Sequence, residues 1–392
     1  MKAYILLITA LMITSALFAG EYGHEYPAHN WEVELFGVDG AIRNNSFSVG
    51  FWNTNMATDP YWDSQELTEI LDRIPSDGLD AKGRLRATVV GVRYRDWSLS
   101  AGMRGDGYAS VPKDVAEIAL LGSKMDNSYT FSDLTGLSYA AADYRGGYSR
   151  ALPIKQLPNL RGEIGLHLYQ GVFMSRAEDA VGNLLITDEL IQGDANFRSV
   201  QATSGSGFGF DFGLATPLND RWQVGLAVDN LYGFINWQIE EATVAELSAH
   251  ADGIAIDSLD EDNYLDRVFV SESETVDADG SYRLALTPEF DLSTVYNPPS
   301  RWQFGGRMLL IPKHVVSHEF EWETAVSSAF ETTKWSFLRS SVGLYGWFEP
   351  LFELGGGLNF NRYEVELRFI SQRGLLNSAY GGGFLLSQRL LF

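Results

Sequence analysis

The sequence predicts an all-β protein, a transmembrane antiparallel β-barrel of about 14 strands with short helices in its loops or plug. Three observations support this fold class. An apolar N-terminal segment is typical of export, most later segments alternate polar and apolar residues, and no later segment is long and apolar enough to cross a bilayer as a helix. Only helices and closed barrels satisfy every backbone polar group in lipid. An exported chain without such helices is therefore either a barrel or a soluble protein.

The N-terminus has the features of a secretory signal peptide, which we expect to span residues 1–20. A basic residue precedes an unbroken apolar run that ends at Phe18, and we expect cleavage after Ala19 or Gly20. A membrane-anchoring helix is the alternative interpretation. Residues 21–392 are predicted to form a single outer-membrane barrel domain, because no composition shift marks a further boundary.

Composition narrows the class of protein further. Aromatic residues make up 13% of the chain and Gly accounts for 39 of its 392 residues, which favours strands over helices. The formal charge of −22 argues against nonspecific nucleic-acid binding, because phosphates would be repelled. The chain has no Cys, so thiol catalysis and Cys-based metal sites are excluded.

The alternating segments assign two faces to each predicted strand. In Gly207–Leu214 three phenylalanines share one face, and Asp211 shares the other with three glycines; His318–Thr324 and Arg362–Phe369 alternate charged and apolar residues in the same way. We expect the apolar face to meet lipid and the polar face to line a hydrated lumen. A polar face on a soluble sheet is the alternative. The residues predicted to line the lumen are Arg161, Glu163, His167, Asp211, Asp229, Arg307, Glu319, Glu321, Glu323, Arg362, Glu364, Glu366 and Arg368.

Several predicted strands open with a Trp that follows a short polar turn, at Trp97, Trp222, Trp302 and Trp335. Trp prefers the boundary between membrane and water, where barrels carry rings of aromatic residues. These four residues are therefore predicted to form an aromatic girdle. A strand-opening Trp in the core of a soluble sandwich is the alternative.

Other segments break the strand pattern. Ser64–Ile74, with Ser64 as a possible N-cap, and Val111–Leu121 carry apolar residues at helical spacing, and we expect short helices in loops or in a plug within the lumen. The segment 240–280 has many carboxylates against one basic residue, Arg267, and is predicted to be a long extracellular loop. A smaller acidic loop is expected at Arg176–Asp194.

The end of the chain resembles the strand signal that the outer-membrane assembly machinery reads. Phe384, Leu386, Leu390 and Phe392 lie on one face of a last predicted strand, and the final residue is aromatic. The expected partners are therefore outer-membrane lipid and the barrel assembly machinery.

The sequence contains no recognisable catalytic or metal site. It has neither a Gly-x-Ser-x-Gly motif nor a phosphate-binding Gly-x-x-x-x-Gly-Lys motif. On a strand, His314 and His318 would share a face about 13 Å apart, too far to hold one metal together. The alternating carboxylates could be interpreted as a glycosidase pair, but many charges of both signs fit a hydrated lumen better than one acid–base couple. We therefore expect no enzyme activity, no cofactor and no metal.

One region carries a family resemblance. Ser204–Trp237 runs from a glycine-rich strand through a turn into a Trp-led strand that closes with Gly-Phe-Ile-Asn-Trp. This pattern resembles an uncharacterised family of outer-membrane barrels, similar to the long-chain fatty-acid and hydrocarbon transporters and to the barrel that shuttles type IX secretion cargo. The matching residues are Asp211, Gly213, Trp222, Asp229, Gly233, Ile235 and Trp237. The Asn-Pro-Ala sequence common near the N-terminus of the fatty-acid transporters is absent, and Trp52–Asn55 stands in its place.

The resemblance implies an outer-membrane location and the passage or capture of a small hydrophobic molecule. Two alternatives remain open at this point. The first is a non-transporting surface barrel that docks or shuttles secreted proteins, and the second is a secreted, soluble, β-rich, carbohydrate-active protein.

Overall fold

The computed structural model describes residues 31–392 with the exception of 52–62, 123, 125, 133, 158, 188–189, 253–268, 347–348 and 361. The predicted signal peptide and the Trp52–Asn55 segment lie outside the described residues.

Strands dominate the described chain. In chain order they are β1 Trp31–Asn44, β2 Leu79–Tyr94, β3 Trp97–Val111, β4 Asn127–Thr130, β5 Thr135–Ala151, β6 Arg161–Ile186, β7 Leu190–Ala202, β8 Ser204–Pro217, β9 Trp222–Asp252, β10 Phe269–Leu286, β11 Glu289–Tyr296, β12 Trp302–Ile311, β13 Glu321–Thr333, β14 Ser336–Tyr345, β15 Glu349–Phe360, β16 Tyr363–Gln372 and β17 Gly381–Leu391. The helices are α1 Val49–Phe51, α2 Ser64–Arg73, α3 Lys113–Leu121 and a 3-10 turn at Leu376–Ser378.

The strands form one antiparallel sheet that closes on itself. Strand β1 pairs with β2 on one side and with β17 on the other, so the first and last strands of the chain complete the ring. Three of the 17 segments, β4, β7 and β10, extend the ring strands β5, β8 and β11 that follow them in the chain, and the ring itself contains 14 strands. The predicted closed barrel and its strand number are therefore confirmed.

Alternating side chains point to opposite faces of this sheet. In β8, Phe208 and Phe210 are 41% and 37% exposed, whereas Asp211 between Phe210 and Phe212 is 3% exposed. In β6, Leu166 and Leu168 are exposed and His167 between them is buried. A sheet with its apolar side chains outward and its charged ones inward is the inverse of a soluble sandwich, which packs apolar faces together.

The two ends of the barrel differ. At one end the connections are mostly short, such as Arg95-Asp96 between β2 and β3 and residues 334–335 between β13 and β14. We call this the rim end, because the strand-opening tryptophans lie there. The opposite end carries the helices and the longer connections, such as residues 312–320 between β12 and β13, and we call it the loop end.

Two segments that were predicted to be acidic loops are instead mostly strand. Strand β9 continues to Asp252 and β10 begins at Phe269, so the described residues of the predicted loop 240–280 belong to these two strands. Residues 253–268 lie outside the described residues. The segment Arg176–Asp194 likewise belongs largely to β6 and β7. The reason is that the backbone of each acidic segment has an antiparallel partner. Strand β7 pairs with both β6 and β9, and β10 pairs with β9.

Both predicted helices are present, but the N-cap differs from the prediction. Helix α2 is capped by Asp63 rather than by Ser64. The Asp63 carboxylate accepts hydrogen bonds from the backbone N–H groups of Gln65 and Glu66, both at 2.9 Å, and Glu66 accepts one from the Asp63 N–H at 3.0 Å. This reciprocal arrangement satisfies three donors that a helix N-terminus would leave free. None of the helices in the described part of the chain is long and apolar enough to cross a membrane.

Helices α2 and α3 pack together at the loop end and form a small second core, which we call the helical cap. The Lys113 ammonium group joins the two by donating a hydrogen bond to the Ile74 carbonyl at 2.8 Å. Among the described residues, the cap cluster shares no member with the larger cluster inside the barrel. The buried residues of the cap are Phe47, Phe51, Ile70, Leu71, Ile74 and Ala116.

Candidate functional site: the interior of the barrel

The structure places most of the predicted lumen residues at inward positions of the ring. Arg161, Glu163, His167, Asp211, Asp229, Arg307, Glu321, Glu323, Glu364, Glu366 and Arg368 lie on strands, on the face opposite the exposed apolar residues. Many of them form ion pairs with inward residues of neighbouring strands, as Arg307 does with Asp291 at 2.7 Å and Glu163 with Arg145 at 3.5 Å.

Glu319 and Arg362 do not lie on strands. Glu319 is an exposed residue of the 312–320 connection, because β13 begins only at Glu321, although it still contacts Lys82. Arg362 lies in the turn before β16 with its guanidinium 5.5 Å from the ring centre of Phe392. In both places the polar–apolar alternation of the sequence continues past the residue at which backbone pairing stops. The assignment of these two side chains to the inner wall was therefore wrong.

A group of charged residues near the middle of the ring crosses the interior. The carboxylate of Glu289 on β11 lies 3.2 Å from Arg86 and 3.8 Å from Arg104, and it approaches Arg84 at 3.9 Å. Five strands of the ring separate β11 from β2, so these ion pairs span the interior rather than link neighbours in the wall. Three guanidinium groups thus converge on one carboxylate.

Further carboxylates balance these arginines. Arg86 donates to Asp106 at 3.2 Å, and the Tyr139 hydroxyl donates to the same carboxylate at 2.5 Å. Arg84 donates to Asp39 at 3.2 Å. Together these six charged residues form what we call the charged belt, namely Asp39, Arg84, Arg86, Arg104, Asp106 and Glu289. Three positive and three negative groups keep this layer neutral.

A second contact across the interior lies nearer the loop end. Glu321 on β13 pairs with Arg43 on β1 at 2.6 Å and with Lys82 on β2 at 3.1 Å. A cavity of about 110 Å³ lies between these walls, and its lining includes Arg307, His314 and the three residues of this contact. Charged groups of both signs line it, which suits a few water molecules better than an apolar ligand.

His167 lies between two carboxylates on the inner wall. Its Nδ1 is 2.6 Å from Asp143 and its Nε2 is 2.5 Å from Asp211. Because a carboxylate only accepts hydrogen bonds, both contacts are satisfied together when the ring is an imidazolium with two donors. Arg145 adds a second positive group 3.2 Å from Asp211. The arrangement is a charge-balanced structural pairing of four side chains.

Asn230 connects this cluster to the charged belt. It lies in a bulge of β9 where the register with β8 shifts, and its φ is +51°, a conformation that Asn tolerates better than most residues. Its backbone N–H donates to Asp211 at 2.8 Å. Its side-chain oxygen accepts from the Tyr169 hydroxyl at 2.7 Å and from Arg104 at 3.1 Å. The buried polar groups therefore form one connected network.

Sequence reasoning missed several members of this network. Lys82, Arg84 and Arg86 alternate along β2 as clearly as the predicted lumen residues do, so that signal was available. The importance of Glu289 and Asn230 was not visible in the sequence, because the partners of both lie on strands far away in the chain.

An apolar cluster lies next to the charged belt, with Tyr139 opposite Asp106 and Ala141 opposite Arg104, and extends from there toward the loop end. Along β5, Leu137 and Ala141 lie farther from the rim end than Asp143, and along β9, Ile235 and Trp237 lie beyond Asn230. We call this the interior apolar cluster. Its buried members are Leu137, Tyr139, Ala141, Tyr169, Met174, Ala202, Ile235, Trp237, Leu284, Leu286, Val315 and Val316. Tyr139 and Tyr169 join the two layers, since their rings belong to the cluster and their hydroxyls bond into the polar network.

Val315 and Val316 reach this cluster from a connection, not from a strand. They belong to residues 312–320 between β12 and β13, and both are buried. The connection folds on itself through a bond from the His314 N–H to the Glu319 carbonyl at 2.7 Å and one from the His318 N–H to the His314 carbonyl at 2.9 Å. We call it the inserted loop. It covers the interior apolar cluster from the loop end.

His318, in the inserted loop, has its pKa lowered from the ordinary value. Partial burial is the main cause, and the positive charges of Lys313 and Arg176 add to it. His314 and His318 do not share a strand face as predicted, since both lie in this loop. Among the described residues there is no group of His, Asp and Glu side chains arranged to hold a metal ion.

The four predicted girdle residues lie together at the rim end with outward, exposed side chains. The side chains of these four residues, Trp97, Trp222, Trp302 and Trp335, are between 41% and 64% exposed. Each indole lies near another aromatic side chain, as Trp97 lies near Tyr148 and Trp222 near Tyr296. Trp31, which sequence reasoning missed, extends the set, and its ring centre lies 4.2 Å from that of Tyr94.

The last strand has the faces that the sequence predicted. Phe384, Leu386 and Leu390 alternate with Leu385 and Ser387, which are buried on the opposite face. Strand β17 closes the ring against β1 through eleven aligned pairs, beginning with Leu391 opposite Glu32. Recognition of this strand by the assembly machinery stays a prediction.

Comparisons with known proteins agree with this architecture. Residues 178–367 match a family described as "Family of unknown function (DUF5723)". Among solved structures, the TodX deltaS2S3 mutant monoaromatic hydrocarbon channel is similar over 97% of this chain and 98% of that chain, with 12% identity and a TM-score of 0.50. The P. putida toluene transporter TodX aligns over 94% of this chain and 91% of its own, with 11% identity and a TM-score of 0.47.

A Pseudomonas aeruginosa FadL homologue aligns over 92% of this chain and 90% of its own, with 12% identity and a TM-score of 0.45. No curated protein matches the sequence. At 12% identity, the likeness to the TodX deltaS2S3 variant shows the fold alone. The chain is a closed 14-stranded barrel with the fold of the hydrocarbon-channel barrels, and its residues 178–367 match a family of unknown function.

Proposed function

We propose that the protein is an outer-membrane barrel that captures a small hydrophobic molecule in its interior. The observation that carries this proposal is the interior apolar cluster, which lies inside a barrel whose inner face also carries many charged residues. A barrel that only conducted ions or water would have no use for a buried apolar layer that closes part of its interior. Apolar side chains there favour an apolar ligand, which loses contact with water on binding.

The outer surface supports the membrane location. Large apolar side chains such as Leu166, Val326 and Leu354 project outward from the middle of the ring. The exposed tryptophans and short turns of the rim end fit the periplasmic side, and the longer connections of the loop end fit the extracellular side. The similar TodX variant is named a monoaromatic hydrocarbon channel, and monoaromatic hydrocarbons are small apolar molecules of the class proposed here.

The charged belt supports capture as the first step, ahead of passage. An apolar molecule moving straight through the ring would have to separate Glu289 from Arg86 and Arg104 and leave charges without partners. Such separation costs about 1.5–3 kcal/mol for each hydrogen bond to a charged group. The molecule is therefore held on the loop-end side of the belt until the belt rearranges.

Naphthalene binding to the purified barrel in lipid nanodiscs tests the proposal. Equilibrium dialysis against protein-free nanodiscs separates binding by the protein from partitioning into lipid. Ala202 is completely buried in the interior apolar cluster, so Ala202→Phe fills the space and should weaken binding. Ala101→Phe is the matched control, because Ala101 lies on the outer face between Leu99 and Met103. Wild-type protein that takes up no naphthalene beyond the lipid background would contradict the proposal.

The alternative of a barrel that docks secreted proteins is also supported by one observation. Strands β6, β7, β9 and β10 continue past the ring as a paired projection at the loop end. A variant with these hairpins shortened separates the two functions. Under the first proposal it still binds naphthalene, whereas a docking barrel would lose its protein partner and show no naphthalene binding in either form.

A further inference from the structure

Trp237 is the largest side chain in the interior apolar cluster, and its position is built by two glycines. Gly205 lies directly opposite Trp237 in the β8–β9 register, and Gly171 lies opposite Gly205 in the β6–β8 register. A Cβ atom on Gly205 would lie 2.9 Å from Cε3 of the indole, and one on Gly171 would collide with the same ring. Only glycine at both positions leaves room for the indole against the inner wall.

The indole N–H of Trp237 has no hydrogen-bond partner among the described residues. The side chain is 1% exposed and Nε1 itself is buried. The ring atoms nearest the two glycines are Cε3, Cζ3, Cη2 and Cδ2, which leaves Nε1 on the opposite edge of the ring system. The N–H is therefore directed away from the glycine wall. Buried tryptophans normally place this donor against an acceptor, because a buried donor without one is costly.

Everything else in the cluster is apolar or already paired. Tyr139 and Tyr169 direct their hydroxyls to Asp106 and Asn230 in the polar network. The remaining members carry only hydrocarbon or thioether groups. The cluster therefore offers a ligand an apolar environment and one unused donor, the Trp237 N–H. A charged ligand does not fit, since no cluster member carries a compensating charge.

Among the described members of the cluster, Val315 and Val316 of the inserted loop are the two that do not come from strands. Strand residues are held by backbone pairing on both sides, whereas this loop is held by a few bonds, such as the one from the Val316 N–H to His314 Nδ1 at 3.4 Å and the Lys82 contact to Glu319. If the loop moves outward, a ligand can occupy the volume of the two valines while the strands of the barrel stay as they are.

We propose that the interior apolar cluster is a binding site for a small, uncharged, aromatic or aliphatic molecule with one hydrogen-bond acceptor, such as an ether or carbonyl oxygen. The Trp237 N–H donates to this acceptor, and the ligand enters when the inserted loop moves outward. This inference rests on the proposed function and adds to it the chemical class of the ligand. A plain hydrocarbon fits the same space but leaves the donor without a partner.

Two probes that differ in one acceptor test the inference. 1-Methoxynaphthalene adds an ether oxygen to naphthalene and no donor, and each is measured by dialysis against protein-free nanodiscs to remove the difference in lipid partitioning. Wild-type protein should bind 1-methoxynaphthalene roughly 2- to 10-fold more tightly than naphthalene, the ratio that one net hydrogen bond produces. In Trp237→Phe, which keeps a ring but loses the N–H, the ratio should fall to about 1.

Trp222→Phe is the matched control, because Trp222 is an exposed rim-end residue and its substitution should leave the ratio unchanged. Heat-modifiable mobility on a gel reports whether each variant is folded. A second measurement needs no variant. With 15N-tryptophan incorporated into the wild-type protein, one indole N–H resonance should move downfield on addition of 1-methoxynaphthalene and not on addition of naphthalene.

The outcomes separate the two proposals. Equal binding of both probes by the wild-type protein, or an unchanged ratio in Trp237→Phe, overturns the role of Trp237 while capture of hydrophobic molecules stands. Absence of any indole shift with 1-methoxynaphthalene overturns it as well. If neither probe binds above the lipid background, the proposed function fails and this inference with it.

Discussion

Glu289 and Arg86 form an ion pair of 3.2 Å across the interior of the barrel, between strands that are not neighbours in the ring. A wall held together by backbone pairing does not need this contact. Its effect is to close the interior with side chains, because Glu289 also approaches Arg84 and Arg104 from the same position. Side-chain contacts therefore cross the interior near the middle of the barrel, separate from the backbone pairing that holds the wall.

Substitution of Glu289 by Gln should open this layer. The change keeps the size of the side chain but leaves three arginines without their shared carboxylate, so they repel one another, and it weakens the Arg86 hydrogen bond to this position, which as a bond to a charged group is worth about 1.5–3 kcal/mol. We expect larger single-channel conductance in planar bilayers and a preference for anions. Glu331→Gln, an exposed rim-end change, is the control. Equal conductance of wild-type and Glu289→Gln barrels would show that the belt does not limit passage.

The outward face of the wall should reject charge in a position-dependent way. Leu354 projects outward from the middle of β15, whereas Leu218 is similarly exposed in the turn between β8 and β9. We expect Leu354→Arg to lower the free energy of unfolding by about 2–4 kcal/mol and Leu218→Arg by about 0–1 kcal/mol, the values for membrane midplane and interface. Urea titration of the barrels folded into lipid vesicles measures both. Similar losses for the two variants would argue against a lipid-facing wall.

The glycine wall beside Trp237 should not tolerate a methyl group. A Cβ atom at Gly205 would meet the indole at 2.9 Å, so Gly205→Ala should destabilise the barrel by about 1–3 kcal/mol through overpacking. Gly280→Ala is the matched control, because the nearest atom to its Cβ would be Ile239 Cδ1 at an ordinary distance of 3.7 Å. The same vesicle-based unfolding titration measures both variants. A loss at Gly280 as large as that at Gly205 would mean that the indole is not the cause.

His167 should be required as a donor to two carboxylates. His167→Phe removes the bonds to Asp143 and Asp211, and the loss of hydrogen bonds to charged groups should cost about 1.5–3 kcal/mol each. Arg145 remains beside Asp211, so Asp143 loses more than Asp211 does. In a double-mutant cycle with Asp143→Asn, the two changes should cost less together than their separate costs added. Strict additivity would show that the two side chains do not interact.

Movement of the inserted loop can be followed with a single thiol, because the chain has no Cys. In Val316→Cys the thiol should react slowly with a maleimide, since Val316 is 4% exposed, and labelling should accelerate when 1-methoxynaphthalene is added. Leu218→Cys, exposed in a turn, should react quickly with or without the probe. If the probe leaves the labelling rate of Val316→Cys unchanged at concentrations that saturate binding, the loop stays in place.

The sequence alone determined which face of each strand is polar, because side chains alternate along a strand whatever its partner is. Asp211 between exposed phenylalanines was predicted for this reason, as was the approximate number of strands. The tryptophans that open β3, β9 and β12 were predicted from the short polar turns before them. Local sequence did not reveal where pairing ends. Glu319 and Arg362 were therefore assigned to strands, and the acidic segment 240–280 was assigned to a loop.

Only the tertiary structure decided what the inward residues do. Glu289 meets Arg86, and Asn230 meets Arg104 and Tyr169, because closure of the ring brings together strands that lie far apart in the chain. The same closure gathers apolar residues of several strands and two valines of a loop around Trp237. In the sequence, nothing distinguishes this Trp from the other aromatic residues. Such contacts depend on distances through the interior, and no periodicity in a sequence encodes them.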